Sequence, residues 1–401
     1  TNGKTTTARL VVAAIERTGE PVVANTAGAN LLRGVASALL DASRQEPAPR
    51  VGVFEVDEAA LASVVDQTHP RVMVLMNLFR DQLDRYGELE VLADRWTELV
   101  AALDPASTVV VDVDDPAVEA IGRAATTALT YGVDDPTVGR DRLTHAADST
   151  TCRECGTVLT YDLVTIGHLG HWRCPGCGLA RPRPQVALTA VRSRGLDGQD
   201  LTIETPEGTV TARLSLPGLT NAYNATAATA GALAMGVPVP EIAPALEATG
   251  AAFGRAQRVQ VEGRDVVLLL AKNPTGANEN IHTVLDHGGD VHALVLLNDR
   301  TADGRDVSWI WDVDHEPLLD RAERLDVGGD RAYDLALRFR YGGVDPPRMT
   351  VHDDLAEAFD AAVAAIEPGA TLFVLPTYTA MLDLQRLLTD RGPTEAFGHD
   401  T

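Results

Sequence analysis

The sequence predicts an α/β protein with doubly wound, mostly parallel sheets, and three observations predict it. The chain opens inside a phosphate loop, Thr1-Asn2-Gly3-Lys4-Thr5-Thr6-Thr7, that leads into an apolar helical pattern at Leu10, Val11, Ala14 and Ile15. Short apolar strand patterns then alternate with amphipathic helices to about residue 116, and the same rhythm returns in the C-terminal part. Alternation of this kind places helices on the faces of a parallel sheet.

A Gly-Lys-Thr opening a helix is what nucleotide phosphates require. Backbone N–H groups from Asn2 to Thr6 and the positive helix end face the anion, Lys4 supplies a mobile charge, and the Thr5 hydroxyl binds Mg²⁺. A chance match in a capped helix is the competing reading. Neither the preceding strand nor the first glycine of the motif is visible, so the sequence reads as truncated ahead of Thr1.

In chain order, Pro21 to Asn25 is a short strand, and residues 26–30 are a turn feeding a helix to about Ala42. Ser43 to Arg50 is a polar loop. Val51 to Glu58 is an apolar strand ending in acids, where a doubly wound sheet sets its ligand-binding groups. Arg71 to Asn77 is a buried strand, followed by a loop to Gly87. Glu88 to Leu103 is an amphipathic helix, and Thr108 to Val113 is a strand ending in Asp114-Asp115-Pro116. Val186 to Val191, Asp200 to Glu204 and Val210 to Leu216 are antiparallel strands, with turns at Asp197-Gly198 and Glu207-Gly208. Thr220 to Met235 and Val239 to Ala248 are helices. Beyond a boundary near Gly250 to Val261 the α/β rhythm resumes. Strands follow at Val266 to Ala271, Val291 to Leu297, Arg324 to Val327 and Thr371 to Leu375. Helices follow at Ala277 to Asp286, His315 to Ala322, Arg331 to Arg340 and Leu355 to Ile366, with a last one to about Leu388.

At 401 residues and 45% hydrophobic content, the chain is long enough for two or three cores. No run of about eighteen apolar residues predicts a membrane span, and no secretory segment is visible. Thirty-four basic against 57 acidic residues leave a net charge of −23, spread along the chain. That field repels nucleic acid and anionic lipid, which discounts both as broad-surface partners.

The four cysteines form two pairs, Cys152-x-x-Cys155 and Cys174-x-x-Cys177, each followed by glycine. This is the spacing of a zinc ribbon, in which two knuckles bring four thiolates to one ion. Two disulfides or a redox CxxC are the alternatives, and both fit less well in a large acidic chain without other cysteines. Four thiolates leave no open position for water, so the zinc is structural.

TNGKTTT, the strand-end acid of VFEVDE, MNLFRDQLDRYG, VDDP, GLTNAYNATAA, FGRAQRV and LAKNP occur here in the order in which Mur ligases carry their motifs, and the chain resembles that family over nearly its whole length. The cysteine ribbon and LLNDRTADGRDVSWIWD narrow the resemblance to the synthetase subunit of a lipid II isoglutaminyl synthase, a heterodimer whose other subunit is a GatD-like glutaminase. The resemblance implies a Mur-ligase-like central ATP-binding domain over 1–145 and 185–252. A zinc-ribbon insertion over 146–184 interrupts it, and a smaller Rossmann-like domain covers 253–401.

The implied reaction is ATP-dependent amidation of the D-glutamate α-carboxylate of the lipid II stem peptide to D-isoglutamine. It takes place in the cytoplasm, at the inner face of the membrane. A carboxylate is a poor acyl donor, so it is first phosphorylated to an acyl phosphate, which the amine attacks. Positioning and charge neutralisation carry such a step. The resemblance gives Lys4 the β/γ-phosphates, Thr5 and Glu55 the Mg²⁺, Asn224 the adenine, and Lys272 the acyl phosphate transition state. Three departures stand out. Gln82 replaces a metal-binding histidine, the residue near Trp96 replaces a lysine that is carbamylated in amino-acid-adding members, and Leu269 replaces an acid. They put a second metal site in doubt and suit ammonia better than an amino acid as nucleophile.

A glutaminase of the usual type needs a cysteine nucleophile and a histidine base. All four cysteines here are committed to the ribbon pattern, so glutamine nitrogen must come from a second polypeptide. The resemblance adds that Asp306 orients that partner's histidine, completing a Cys-His-Asp triad across the interface. A turn or helix-capping aspartate is the alternative for Asp306. For the whole chain, the alternatives are a ligase of the Mur or folylpolyglutamate type that adds an amino acid to a soluble substrate, and a non-enzymatic zinc-ribbon adaptor.

Overall fold

The computed structural model describes residues 2–25, 28–46, 50–80, 89–250 and 255–391. It divides between Gly250 and Ala251 into two compact units.

In the first unit, helix α1 (Lys4–Glu16) follows the phosphate loop, and strands β1 (Val22–Ala24) and β2 (Val51–Val53) pair in parallel, flanking α2 (Leu32–Ala42) in sequence. Helix α3 (Leu61–Thr68) precedes β3 (Val72–Leu75), α4 (Leu89–Ala101) precedes β4 (Thr108–Asp112), and α5 (Pro116–Gly122) precedes β5 (Ala128–Val133). After the ribbon come β8 (Val186–Ser193), β9 (Gln199–Thr205), β10 (Gly208–Leu214), α6 (Leu219–Ala234) and α7 (Val239–Ala248). The main sheet runs β10-β9-β8-β5-β4-β3, parallel from β3 to β8 and antiparallel through β9 and β10.

Side chains on successive strand residues point to opposite faces, and β4 shows the result. Val110 joins the core formed with α1 and α6, while Val109 and Val111 join a second core with Leu92, Trp96 and Ile121 of α4 and α5. Helix α6 is buried at every position from Ala222 to Ala232. Its alanines let the sheet and α1 approach closely, and Thr226 and Thr229 satisfy their hydroxyls on the carbonyls of Ala222 and Ala225.

The ribbon contains the antiparallel hairpin β6 (Thr160–Val164) and β7 (Gly170–Arg173). It is fastened to the end of β4. Trp172 Nε1 donates to Val113 O at 3.0 Å, Gly170 N–H donates to Asp114 O at 3.0 Å, and Arg181 Nε lies 2.6 Å from Asp114 Oδ1.

In the second unit the sheet order is β11-β12-β16-β13-β14-β15. Strands β12 (Arg264–Leu269), β13 (Val291–Leu296), β14 (Ala322–Gly328), β15 (Met349–Val351) and β16 (Thr371–Pro376) are parallel, and β11 (Arg255–Val261) pairs antiparallel at one edge. The helices are α8 (Pro274–Asp286), α9 (Glu316–Arg321), α10 (Ala332–Tyr341), α11 (Leu355–Ala364) and α12 (Tyr378–Asp390). Phe359, Met381 and Leu384 of α11 and α12 pack on Leu268, Leu294 and Val374 of the sheet.

The sequence patterns miss α3, α5, β5, β11 and β15. They also place one turn a residue late, since Pro206-Glu207 forms it and Gly208 already opens β10.

Candidate functional site

Gly3 takes φ +90°, the left-handed region that favours glycine, and the helix begins at Lys4. A Cβ at Gly3 would come within 2.0 Å of Asn224 Oδ1, so the Asn224 amide lies directly against the loop. Asn224 is 1% exposed and donates to Asn221 Oδ1 at 3.2 Å. This residue, expected to reach adenine, lies beside Gly3.

Two reciprocal amide clamps hold the neighbouring segments. Asn2 N–H donates to Asn77 Oδ1 at 2.8 Å, and Asn77 Nδ2 donates to Asn2 O at 3.1 Å. Glu55 N–H donates to Asn25 Oδ1 at 2.9 Å, and Asn25 Nδ2 donates to Glu55 O at 2.8 Å. The second clamp joins the chain just past β1 to the chain just past β2, and fixes the backbone that carries the Glu55 carboxylate. Strand β2 ends at Val53, so Glu55 and Glu58 lie beyond it.

The acid that meets Lys4 is Glu58. Lys4 Nζ and Glu58 Oε1 are 2.7 Å apart, with the Glu58 side chain 3% exposed. Burial pushes the Glu58 carboxyl up, while the charge and hydrogen bond of Lys4 pull it down. Glu55 and Thr5 are half-buried, while Thr6 is buried. A hydroxyl and a carboxylate are the hard oxygen donors that Mg²⁺ takes, so Thr5 and Glu55 fit that ion chemically. Sequence reasoning singled out neither Glu58 nor Asn25 and Asn77. The acidic end of VFEVDE held the signal for Glu58, and only the strand ending two residues before Glu55 separates the two acids.

Behind the loop, Asp114 is fully buried and accepts from Tyr223 Oη at 2.6 Å and Val133 N–H at 2.8 Å. Asp115 caps α5 through Ala117 N–H and accepts from Leu78 N–H at 2.8 Å. Burial and the charge of Asp114 push the neighbouring Asp112 carboxyl well up. Gln82, the departure at the metal-binding histidine, lies outside the described residues. Trp96 packs in the α4 core, 8% exposed, and Leu269 is buried at the end of β12, so neither position offers a charged ligand.

The four cysteine sulfurs lie within 4.8 Å of one another. Cys152 and Cys177 Sγ are 3.6 Å apart, and Cys155 and Cys174 Sγ are 3.4 Å apart. A disulfide requires about 2.05 Å, and all four thiols are unbridged. A tetrahedron with metal–sulfur bonds of about 2.3 Å has edges of about 3.8 Å, so the cluster has the size of a closed zinc site.

In the second unit, Lys272 lies between the end of β12 and the start of α8, which Asn273 caps by accepting from Gly276 N–H at 2.8 Å. Lys272 is exposed, with Nζ 5.0 Å from the centroid of the Tyr378 ring. Asp306 accepts from Ser308 N–H at 2.8 Å, opening a short 3₁₀ turn over Ser308–Asp312. The Ser308 backbone N–H and side chain together hold the carboxyl below its usual range. Asp306 is nonetheless exposed.

The Mur ligase middle domain family matches residues 1–170, and the MurT ligase C-terminal family matches residues 270–381. The MurT subunit of lipid II isoglutaminyl synthase (glutamine-hydrolyzing) from Streptococcus pneumoniae is 32% identical over 98% of this chain and 86% of its own length. Its counterpart from Staphylococcus aureus is 29% identical, covering 95% of this chain and 84% of its own. Among solved structures, a pseudomurein peptide ligase type C from Methanothermus fervidus superposes with TM-score 0.74 at 18% identity, covering 98% of this chain and 77% of that one. MurF from Acinetobacter baumannii superposes with TM-score 0.70 at 19% identity, covering 97% and 74%. The chain belongs to the MurT family, a branch of the Mur ligases.

Proposed function

We propose that this chain is the ATP-dependent ligase subunit of a lipid II isoglutaminyl synthase, amidating the D-glutamate α-carboxylate of the stem peptide through an acyl phosphate. The observation that carries this reading is the Gly3-Lys4-Thr5 part of a phosphate loop, Gly3 in the left-handed region with Lys4 at the helix start, in a chain of the MurT family. In this assignment Lys4 neutralises the β/γ-phosphates, and the N–H groups of the α1 terminus hold their oxygens. Thr5 and Glu55 would hold Mg²⁺, which screens phosphate charge as a Lewis acid. Lys272 neutralises the transferring phosphoryl group. Asn224, beside Gly3, is assigned to the adenine. The cysteine cluster holds zinc, which orders residues 146–184 as an inserted ribbon and takes no part in the chemistry.

Ammonia comes from a glutaminase partner. The chain has four cysteines in all, and the metal cluster contains every one of them, so none serves as a glutaminase nucleophile. Asp306 is assigned to that partner's histidine. Among the described residues no helix is long and apolar enough to cross a membrane, and we assign the meeting with a lipid-linked substrate to the inner membrane face. Reconstitution with lipid II, ATP and Mg²⁺ tests the reading. Amide formation from ammonium without the partner, and from glutamine with it, is the expected result. ATP-dependent coupling of a free amino acid, with none of ammonia, would overturn it.

A further inference from the structure

The ribbon and the phosphate loop come from different stretches of the chain, yet the segment that follows β3 touches both. Asn77 closes the reciprocal clamp with Asn2 of the phosphate loop. Leu78, Phe79 and Arg80 then run from that clamp onto the ribbon. Leu78 and Phe79 are 1% and 2% exposed, so this loop is buried as deeply as a strand and its polar groups need partners.

Two carboxylates supply them. Leu78 N–H donates to Asp115 Oδ2 at 2.8 Å, and Arg80 N–H donates to Asp148 Oδ2 at 2.8 Å, with the Arg80 guanidinium paired to the same Asp148 carboxylate. His168 joins the two acceptors. Asp148 N–H donates to His168 Nδ1 at 3.1 Å, and His168 Nε2 lies 3.3 Å from Asp115 Oδ2. A ring nitrogen that accepts carries no proton, so that bond assigns the proton of the neutral ring to Nε2, facing the carboxylate. The ring also packs on Phe79, with centroids 4.5 Å apart. A Cβ on the neighbouring Gly167 would come within 2.7 Å of Phe79 Cε1, so the ribbon fits against the segment without a gap.

Both ribbon anchors sit on the chain that leads into the cysteine knuckles. Asp148 lies just ahead of Cys152, and His168 fills the turn between β6 and β7, whose last residue, Arg173, precedes Cys174. Tyr161 Oη of β6 donates to His168 O at 2.9 Å and fastens the turn to its hairpin. A closed thiolate site takes its order from the ion, so withdrawing zinc loosens the chain that presents Asp148 and His168.

We propose that His168 and Asp148 are positioning residues that carry the order of the ribbon through Leu78–Arg80 and the Asn77–Asn2 clamp into the phosphate loop, so that zinc and nucleotide bind with positive coupling. The inference rests on the assignment of zinc to the cysteine cluster and extends it. Such linkage is reciprocal. If zinc tightens nucleotide binding about tenfold, nucleotide tightens zinc binding by the same factor.

The test uses the full chain with ADP and zinc as ligands. Calorimetry should give about tenfold weaker ADP binding once zinc is withdrawn by a zinc-selective chelator, and competition with that chelator should give about tenfold tighter zinc in saturating ADP. His168→Leu removes both ring nitrogens. It should keep one zinc per chain, bind ADP about tenfold more weakly than the wild type, and bring the coupling factor close to one. His168→Asn, whose Oδ1 keeps an acceptor for Asp148 N–H, should recover most of the loss. If His168→Leu does not fold, Asp148→Ala, which deletes the acceptor of Arg80 N–H, carries the same expectation. Wild-type ADP affinity that is independent of zinc would overturn the inference. So would a lowered melting temperature with unchanged ADP affinity in His168→Leu, or a coupling factor that persists in that variant, because zinc would then act through the stability of the whole chain. A purified chain without zinc would strike the zinc assignment instead, with the ADP affinity of His168→Leu still deciding the positioning role.

Discussion

Lys4 Nζ meets Glu58 Oε1 at 2.7 Å, so a helix-start lysine is paired with a carboxylate 54 residues away that is 3% exposed. The pair sets the lysine beside the loop without fixing its long stem, and a phosphate oxygen and Glu58 compete for the same ammonium. Lys4→Ala should lower ATP turnover by about 100-fold or more. It also leaves Glu58 as a buried charge without that cation, a cost of roughly 1–3 kcal/mol that a lowered melting temperature would report. Adding Glu58→Gln to Lys4→Ala should recover most of the melting temperature and none of the turnover. Near-normal turnover in Lys4→Ala would remove this loop from catalysis.

Gly3→Ala tests the loop by a different route. The new Cβ would meet Asn224 Oδ1 at 2.0 Å and hold alanine at φ +90°. Either the loop or α6 must then move. Binding of ADP, measured by calorimetry, should weaken at least tenfold, and Asn224→Ala in the same chain should relieve the clash but not the backbone strain. Unaltered ADP affinity in Gly3→Ala would show that the loop's conformation does not set nucleotide binding.

Much of this arrangement was legible in the sequence where a local pattern and a global role coincide. The GKT loop, the paired CxxC knuckles and long periodic helices such as Glu88 to Leu103 each carry their own physical signal. What was lost had short or divided signals. Helix α3 is only eight residues, and α5 begins at Asp115-Pro116, a capping aspartate with proline in the first turn that also reads as the end of a strand. The clamps Asn2–Asn77 and Asn25–Glu55 join residues 75 and 30 positions apart. No window on the sequence shows that such amides face each other. Glu58 was hidden differently, because strand β2 stops at Val53 and the acids beyond it no longer follow a strand's alternation.

His315 gives a pH prediction. It is 5% exposed, packs edge-on to Phe339 at 5.0 Å, and neither ring nitrogen has a hydrogen-bond partner. Burial, aided by the nearby Arg338 charge, pushes its pKa down to about 3. Between an unfolded value of about 6.5 and that folded value, the unfolded chain binds the extra proton, so stability falls as pH falls through this window. The loss amounts to a few kcal/mol at most. Denaturant unfolding at pH 7 and pH 5 should show a smaller difference for His315→Leu than for the wild type. Equal pH dependence in the two would mean that the folded state accommodates a protonated His315.

The cysteine cluster predicts one zinc per chain. Replacing Cys152 or Cys174, the two buried ligands, should release the metal and lower the melting temperature, because a closed thiolate site gains its structure from the ion. The effect should reach the sheet, since Trp172 and Arg181 of the ribbon bond to Val113 and Asp114 at the end of β4. Elemental analysis with no zinc, together with thiol titration showing oxidised pairs, would refute the site.

The last prediction separates two chemistries. Asp306 accepts from Ser308 N–H and also bonds the Ser308 side chain, and the residue is exposed. Asp306→Asn keeps an acceptor for Ser308 and the shape of the side chain, but loses the negative charge. A partner histidine oriented by that charge would then lack its correct tautomer and the stabilisation of its imidazolium, typically a loss of several orders of magnitude in rate. In the proposed function, carboxylate activation depends on Lys4 and Lys272 instead. Glutamine-dependent amidation should therefore collapse in Asp306→Asn while ammonium-supported amidation persists, and Lys4→Ala should lose both. Should Asp306→Asn abolish the ammonium reaction as well, with the complex still assembled by size-exclusion chromatography, the aspartate would belong to the synthetase chemistry and not to the partner's triad.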